Sequence, residues 1–501
     1  MKKTLSLVLA LLVLAGIIPL AAAEEEKVTI EFFYSPWASA PYAGVDPYEA
    51  YAEEKWGADF VLTPATDFDT QILMRAAADD MPDVMLLSNA QLNRLLEQGV
   101  VLDDWTPYLE QMPTVSAYLT DTQKAFLTRD GKFVACPCIA TSAPRAFMIR
   151  KDWLANLGLS MPTTVEELLD VMRAFTFDDP DGNGLNDTWG FTCAGATKGV
   201  DKMRGFMNLF DYDEVNFYID AEGKANHPIL DGAFLDYLRV CRTIVSEGLV
   251  YPDWYTQGDE DQFVEIYNGK IGLVYYTPHN IIFKTDTARN FDGTVMNEWA
   301  YLPNFSGYEK SMSSIGVLRT VSAKAAADPK KMEIICRYLD EGSYPNPDFF
   351  ALRAGYLCDG YDILEQMDNG FWFLGKTSRE NVTVREQGSI LFGWGQIVQA
   401  ELPFYIQSQD PEMSEVDKYR QDMIAAVYNA PHYPGSYQMM NSDPTLVTDS
   451  GNCIAEFEIA YILGNKTDAD YDAFVQEWRA IAGDALLADA EATFRQYHLI
   501  D

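Results

Sequence analysis

The stretch ADFVLTPATDFDTQILMRAAADDMPDVMLL, Ala58 to Leu87, decides the fold. Its two ends, ADFVLTP and VMLL, are short apolar runs bounded by turn formers and read as strands. Asp67 to Ala78 between them reads as a helix, followed by the turn ADDMPD. Strand, helix and strand in succession argue for parallel pairing in an α/β layered protein. The pattern continues outward. Upstream lie a strand VTIEFFY (Val28 to Tyr34), a loop holding Trp37 and a helix near Tyr48 to Lys55. Downstream come the helix NAQLNRLLEQ, a strand KFVACPC and an extended RAFMIRK. FVEIYNGKIGLVYYTPHN then reads as helix, turn at Gly269, strand and polar loop, and the last third is mostly helical. Its amphipathic segments are expected at Asp417 to Tyr428, Asn452 to Leu463 and Tyr471 to Ile481. In sheets of this kind ligands sit outside the carboxyl ends of strands, which points to the loops after Tyr34 and after Leu87.

The chain opens as a secretory leader: Lys2 and Lys3, an apolar run from Leu5 to Leu20, then Ala21, Ala22 and Ala23 before Glu24. An exported protein, secreted or associated with the cell surface, is expected. Ile17 stands where a lipoprotein would carry its acylated cysteine, so anchoring through that site is excluded. The remaining length exceeds what one hydrophobic core supports, so two lobes are expected, and the absence of Pro- or Ser-rich linkers favours lobes joined by several crossings. Losing Lys2 and Lys3 with the leader takes the formal charge from −38 to −40. Such a charge repels nucleic acid and anionic membranes. Seven cysteines cannot all pair, and Cys241, Cys336 and Cys453 lie in apolar contexts that suit reduced core thiols. The four histidines lack ligand spacing, so zinc is not expected.

One loop asks for a hard cation. DPDGNGLND, Asp179 to Asp187, offers oxygens from Asp179, Asp181, Asn183, the carbonyl of Leu185 and Asp187, with Gly184 at the turn. These are the first, third, fifth, seventh and ninth positions of an EF-hand loop. The twelfth, where a bidentate glutamate belongs, is Gly190, so water, Thr188 or a distant carboxylate must complete a calcium shell. The helix before the loop carries a capping box, Thr164 with Glu167, and an apolar stripe of Val165, Leu168, Leu169, Met172 and Phe175. No matching helix follows, so a structural calcium ion is expected rather than a sensor.

Several stretches together resemble the extracellular solute-binding proteins of family 1, the receptors of carbohydrate ABC importers. They are AADDMPDVMLL, LLEQGVVLDDWTPYL, IRKDWLANLGLSMPTTVEELLDVMRAF with the loop above, NGKIGLVYYT and the tail FVQEWRAIAGD. The resemblance is to the long subgroup that includes Firmicutes sugar-binding lipoproteins and the alginate-binding proteins. It implies a type II periplasmic-binding-protein fold of class α/β, with two discontinuous lobes closing at a hinge cleft. On that scheme 1–23 is the leader, 24–145 and 306–365 build lobe 1, and 146–305 builds lobe 2 with the calcium loop. Residues 366–501 then add helical segments to lobe 2 and the hinge. It further implies a monomer that delivers an oligosaccharide to membrane permease subunits, and assigns the calcium a structural task away from the cleft.

Sugar rings present apolar faces that stack on aromatics, and their buried hydroxyls need partners. Candidate contacts are Trp37 after the first strand, Ser88 and Asn89 after Leu87, and Arg145 in TSAPRA. Trp372 and Trp394, set among glycines, could be exposed for stacking. Tyr276 and His279 fall where the resemblance places an aromatic after the GKIGLVYY strand. The negative charge argues against uronate polymers, so a neutral oligosaccharide is expected. An exported enzyme acting on polysaccharides or a sensing module for a membrane kinase are the alternatives. Neither G-x-S-x-G nor H-E-x-x-H occurs, and acids are too abundant for a pair to be diagnostic, so an enzyme is not expected.

Overall fold

The strand–helix–strand stretch folds as β2 (Ala58–Pro64), α2 (Phe68–Ala77) and β3 (Val84–Leu87), with Asp67 capping the helix by accepting from the Thr70 amide at 3.2 Å. This computed structural model describes residues 27–34, 47–65, 67–137, 145–195, 203–258, 261–277, 298–311, 318–343, 346–354, 365–366, 372–373, 422–423 and 425–501. β1 (Val28–Tyr34) lies between β2 and β3 and pairs with both in parallel. The sheet is completed by β4 (Cys136–Pro137) and β9 (Leu318–Val321), in the order β2-β1-β3-β9-β4, with β9 antiparallel to its neighbours. KFVACPC is not one strand: Lys132–Phe133 and Cys136–Pro137 pair with different partners, because Val134 donates back to the Leu127 carbonyl and turns the chain between them.

A second sheet is built from β5 (Ala146–Arg150), β6 (Trp189–Phe191), β7 (Ile271–Tyr276) and β8 (Trp299–Leu302) in the order β8-β5-β7-β6. Only β7 and β6 run parallel in it. The chain therefore leaves the first sheet after β4, forms the second, and returns at β9, which makes two lobes of discontinuous segments.

Each lobe has its own core. In the first, α1 (Pro47–Trp56) and α6 (Pro329–Glu341) cover one face, where Tyr338 meets Phe32, Trp56 and Phe60 at ring-centroid distances of 5.5, 4.9 and 5.5 Å. In the second, α4 (Val165–Phe177) buries Leu168, Val171, Met172 and Phe175 against the sheet. A Cβ on Gly272 of β7 would stand 2.1 Å from the Phe175 ring, so glycine sets how closely helix and strand approach. Also in this core are α5 (Ala233–Ser246), α7 (Pro444–Ile462) and α8 (Tyr471–Trp478). α7 begins eight residues earlier than the hydrophobic spacing implies, because Asp443 caps the Thr445 amide and Pro444 suits the first turn. The last helix is α9 (Asp484–Gln496). Met439 and Tyr497 from this C-terminal region pack on the core of the first lobe. No described helix is long and apolar enough to cross a membrane.

Candidate functional site

Strand direction fixes where the lobes present their loops. β1 and β3 end at Tyr34 and Leu87, and β6 and β7 end at Phe191 and Tyr276. On the second lobe the antiparallel register pairs Tyr276 with Ala146, so Arg145 and Tyr276 share one edge. Tyr276 is half-buried, its ring edge-on to Phe263 at 5.0 Å. Arg145 is also half-buried, and its charge opposes the effect of burial in raising the Tyr275 pKa.

Around that edge stands a polar and aromatic group that the sequence did not flag. Tyr275 donates to Glu214 at 3.2 Å, and Glu214 pairs with Lys310 at 2.6 Å. Asp213 accepts from the Ser311 amide at 3.4 Å through Oδ1, while its buried Oδ2 has no partner. Burial, with help from the Glu214 charge, pushes the Asp213 carboxyl up to about 6, against the pull of Ser311 and Lys310. Gln438 donates to the Tyr437 hydroxyl at 3.2 Å, and burial raises the Tyr437 pKa with the Asp213 charge adding to it. A run such as DYDEVNFY (Asp211 to Tyr218) mixes acids and aromatics, yet no spacing rule marks Asp213 apart from its neighbours. The group lies where the chain leaves β8, and it offers a carboxylate acceptor beside aromatic rings.

The first lobe's edge is arranged differently. Ser88 caps α3 (Asn89–Glu97): its hydroxyl accepts from the Gln91 amide at 3.3 Å, and Gln91 Oε1 accepts from the Ser88 amide at 2.7 Å. The cap is thus Ser88, with Asn89 opening the helix. Asn89 donates to Asn441 at 2.9 Å and accepts from Arg129 at 2.7 Å. Asn93 bonds the same two residues, tying α3 to the segment that precedes α7. Trp37, His279 and Trp394 lie outside the described residues. Trp372 falls in a two-residue strand, Trp372–Phe373, paired with Glu365–Gln366 as a separate sheet.

The loop Asp179 to Asp187 leaves the C-terminal end of α4. Asp179 takes φ 47° and Gly184 φ 77°, and the Gly184 amide donates to Asp179 Oδ2 at 3.0 Å. The Asn183 side-chain nitrogen bridges Asp181 at 2.8 Å and Asp187 at 3.3 Å. Partial burial raises the Asp181 pKa, reinforced by Asp179 and Asp187 and opposed by the Asn183 amide. Asp179 Oδ1 is buried without a partner. Among the described residues no three His, Cys, Asp or Glu side chains form a metal site by themselves. An EF-hand-type set draws on an asparagine and a backbone carbonyl as well, and the donors here fit calcium on those terms. Thr188 is buried and its hydroxyl donates to the Phe175 carbonyl at 2.9 Å, securing the helix exit. Lys270 stands 3.6 Å from Asp187, and Leu185 is 61% exposed. The five described cysteines are free thiols, four of them buried.

Comparison with known proteins places this architecture. The chain is 22% identical over 456 residues to the polygalacturonan/rhamnogalacturonan-binding protein YtcQ of Bacillus subtilis, covering 87% of this chain and 85% of that one. It is 24% identical over 388 residues to the fructooligosaccharide ABC transporter substrate-binding protein FusA of Streptococcus pneumoniae, covering 73% and 67%. A solved structure of the FusA EF-hand mutant with fructo-nystose superposes with a TM-score of 0.68 at 17% identity, over 94% of this chain and 99% of that one. The sequence profile of the family described as bacterial extracellular solute-binding protein matches residues 38–296, more than half of the chain, and the protein belongs to that family.

Proposed function

We propose that the protein is the extracytoplasmic receptor of an ABC importer, capturing an oligosaccharide between its two lobes and delivering it to the membrane permease. The observation that carries this reading is the edge of lobe 2, in a chain of this family. There Arg145 and Tyr276 share one edge at the carboxyl end of β7, and on the sheet face of Tyr275 stand Glu214, the partnerless oxygen of Asp213 and Tyr437. Aromatic rings near an unpartnered carboxylate oxygen supply the chemistry a sugar ring and its hydroxyls require. Relatives named for fructooligosaccharide and polygalacturonan binding support the class of ligand. Trp37, His279, Trp372 and Trp394 remain proposed contacts. Ser88 and Asn89 are proposed contacts as well, which would exchange their present partners for ligand hydroxyls. We assign 24–145 and 306–365 to lobe 1 and 146–305 to lobe 2, with 366–501 supplying helices to lobe 2 and the hinge, and 1–23 as the export leader. The role is binding without turnover, performed by a monomer.

Calcium belongs to the same reading. Asp179, Asp181, Asn183, the Leu185 carbonyl and Asp187 would hold the ion, with Thr188 fixing the helix exit behind it. An EF-hand mutant of FusA and an alginate-binding protein solved without calcium ion, at a TM-score of 0.65, are consistent with such a site in this fold. The test of the function is a thermal shift of the mature protein against a glycan panel. At least one oligosaccharide is expected to raise the melting temperature by mass action. A panel giving no shift, while a peptide or lipid gives one, would refute it.

A further inference from the structure

Tyr255 is 44% exposed, in a turn that encloses Trp254 at 5% and Gln257 at 7%. That turn is fastened to the end of β6. Phe191 donates to the Leu249 carbonyl at 3.0 Å and accepts from the Tyr251 amide at 2.9 Å, so residues 249–251 run parallel beside β6. Past the strand the Gly195 amide donates to the Trp254 carbonyl at 2.7 Å, and Gln257 Nε2 donates to Thr192 Oγ1 at 2.7 Å and to the Cys193 carbonyl at 2.8 Å. A Cβ on Gly195 would stand 2.7 Å from the Tyr255 Cα, so glycine lets the two backbones meet. The Trp254 and Tyr255 rings lie 5.4 Å apart at 75°, a T-shaped contact that covers at most one face of Tyr255.

Strand register sets which way this turn faces. Leu318 pairs with both Leu87 and Pro137, so β9 starts at the edge of the first sheet where β3 and β4 end. Ala146 pairs with Tyr276 and Phe147 with Leu302, so β5 starts at the edge of the second sheet where β7 and β8 end. The chain passes from the end of β4 to the start of β5 and from the end of β8 to the start of β9, so both crossings join these two edges. The space between the edges is the cleft, and β6, parallel to β7, ends there too. In the order β8-β5-β7-β6 the crossings belong to the β8 and β5 side, whereas the 249–251 stretch lies beyond β6. Tyr255 therefore stands on the cleft edge at the end remote from the crossings, two strand positions or about 10 Å from Tyr276.

We infer that Tyr255 is a distal stacking platform for a sugar ring, so that the receptor selects oligosaccharides long enough to reach from Tyr276 to Tyr255 over shorter fragments. This rests on the receptor reading above. A single sugar ring cannot touch both aromatics across two strand spacings, whereas a chain of several can. Tyrosine offers a broad apolar face with few rotatable bonds to immobilise, and the fastened backbone leaves little ordering for the ligand to bring about. Its exposed neighbours in the turn include Asp253 and Thr256, which supply acceptors to hydroxyls rather than extending an apolar docking surface.

Calorimetry of the mature protein with size-fractionated series, of one to six sugar units, cut from fructan, starch, xylan, mannan and galactan tests the inference. In at least one series the longest members are expected to bind about tenfold more tightly than the shortest member that binds, the worth of one aromatic contact. Tyr255→Ala should remove that gain while leaving the affinity of the shortest binder and the melting temperature of the unliganded protein unchanged, since the ring is exposed. Tyr255→Phe should keep the gain, because stacking needs the ring and not the hydroxyl. Tyr255→Leu, which has no ring, takes the place of Tyr255→Ala should that variant fail to fold. Affinity that grows with length in no series, a gain that survives in Tyr255→Ala, or an equal loss for short and long members would each overturn the assignment. Binding that ignores length leaves the receptor reading standing. Series that do not bind at all overturn both.

Discussion

Asp213 keeps a carboxylate oxygen enclosed without a partner, and its environment favours the proton. Its ordinary value of 3.8 rises to about 6, through burial first, with Glu214 adding and Ser311 and Lys310 subtracting. Between those values the folded protein retains a proton that the unfolded chain has released, so this group makes stability fall as pH rises from about 4 to about 6. Asp213→Asn cannot titrate. Its urea midpoint is expected to lose that downward component, and a pH profile parallel to wild type from 4 to 6.5 would contradict it. Sequence could not reach this residue, because its chemistry comes from Ser311, Lys310 and Tyr437, all far along the chain. Local chemistry was legible. Thr164 accepts from the Glu167 amide at 3.2 Å as a capping box requires, although Glu167 reaches back to Thr163 rather than Thr164, at 2.8 and 2.9 Å.

Among the elements, the loop after α4 and the helices around Glu458 make opposite uses of acids. In the loop, partial burial and then the charges of Asp179 and Asp187 raise the cost of ionising Asp181, which a divalent ion would relieve. A chelator is therefore expected to lower the melting temperature of wild type, and Asp181→Ala to melt alike with calcium and with chelator. Equal melting of wild type under both conditions would end the calcium reading. The alternating oxygens that prompt the calcium reading all lie within residues 179–187. Glu458 of α7 was not readable. Fully buried, it takes Arg204 at 2.8 Å and the Tyr237 hydroxyl of α5 at 2.6 Å, joining helices more than 200 residues apart. Removing one member of a buried pair costs about 3–5 kcal/mol, and Glu458→Ala is expected to lower the unfolding free energy by about that much in urea titrations. A loss below about 1 kcal/mol would show that the network contributes little.

Across the whole molecule, alternating short strands and helices were enough to announce α/β lobes, since each strand of β1 to β3 carries its own signal and pairs with near neighbours in sequence. What sequence could not show is how the chain crosses between lobes. β9 joins the first sheet 231 residues after β3 ends, and only a register of cross-strand pairs such as Leu318 with Leu87 establishes that return. For the same reason sequence could not show that Arg145 and Tyr276 share one edge, which the pairing of Tyr276 with Ala146 establishes. Isothermal titration of the mature protein with the glycan that most raises its melting temperature tests capture of an oligosaccharide without chemistry. A saturable isotherm with one site per chain, heat that ceases at saturation, and glycan recovered intact are expected. Heat that continues with substrate turnover, or an isotherm flat for every glycan, would contradict it.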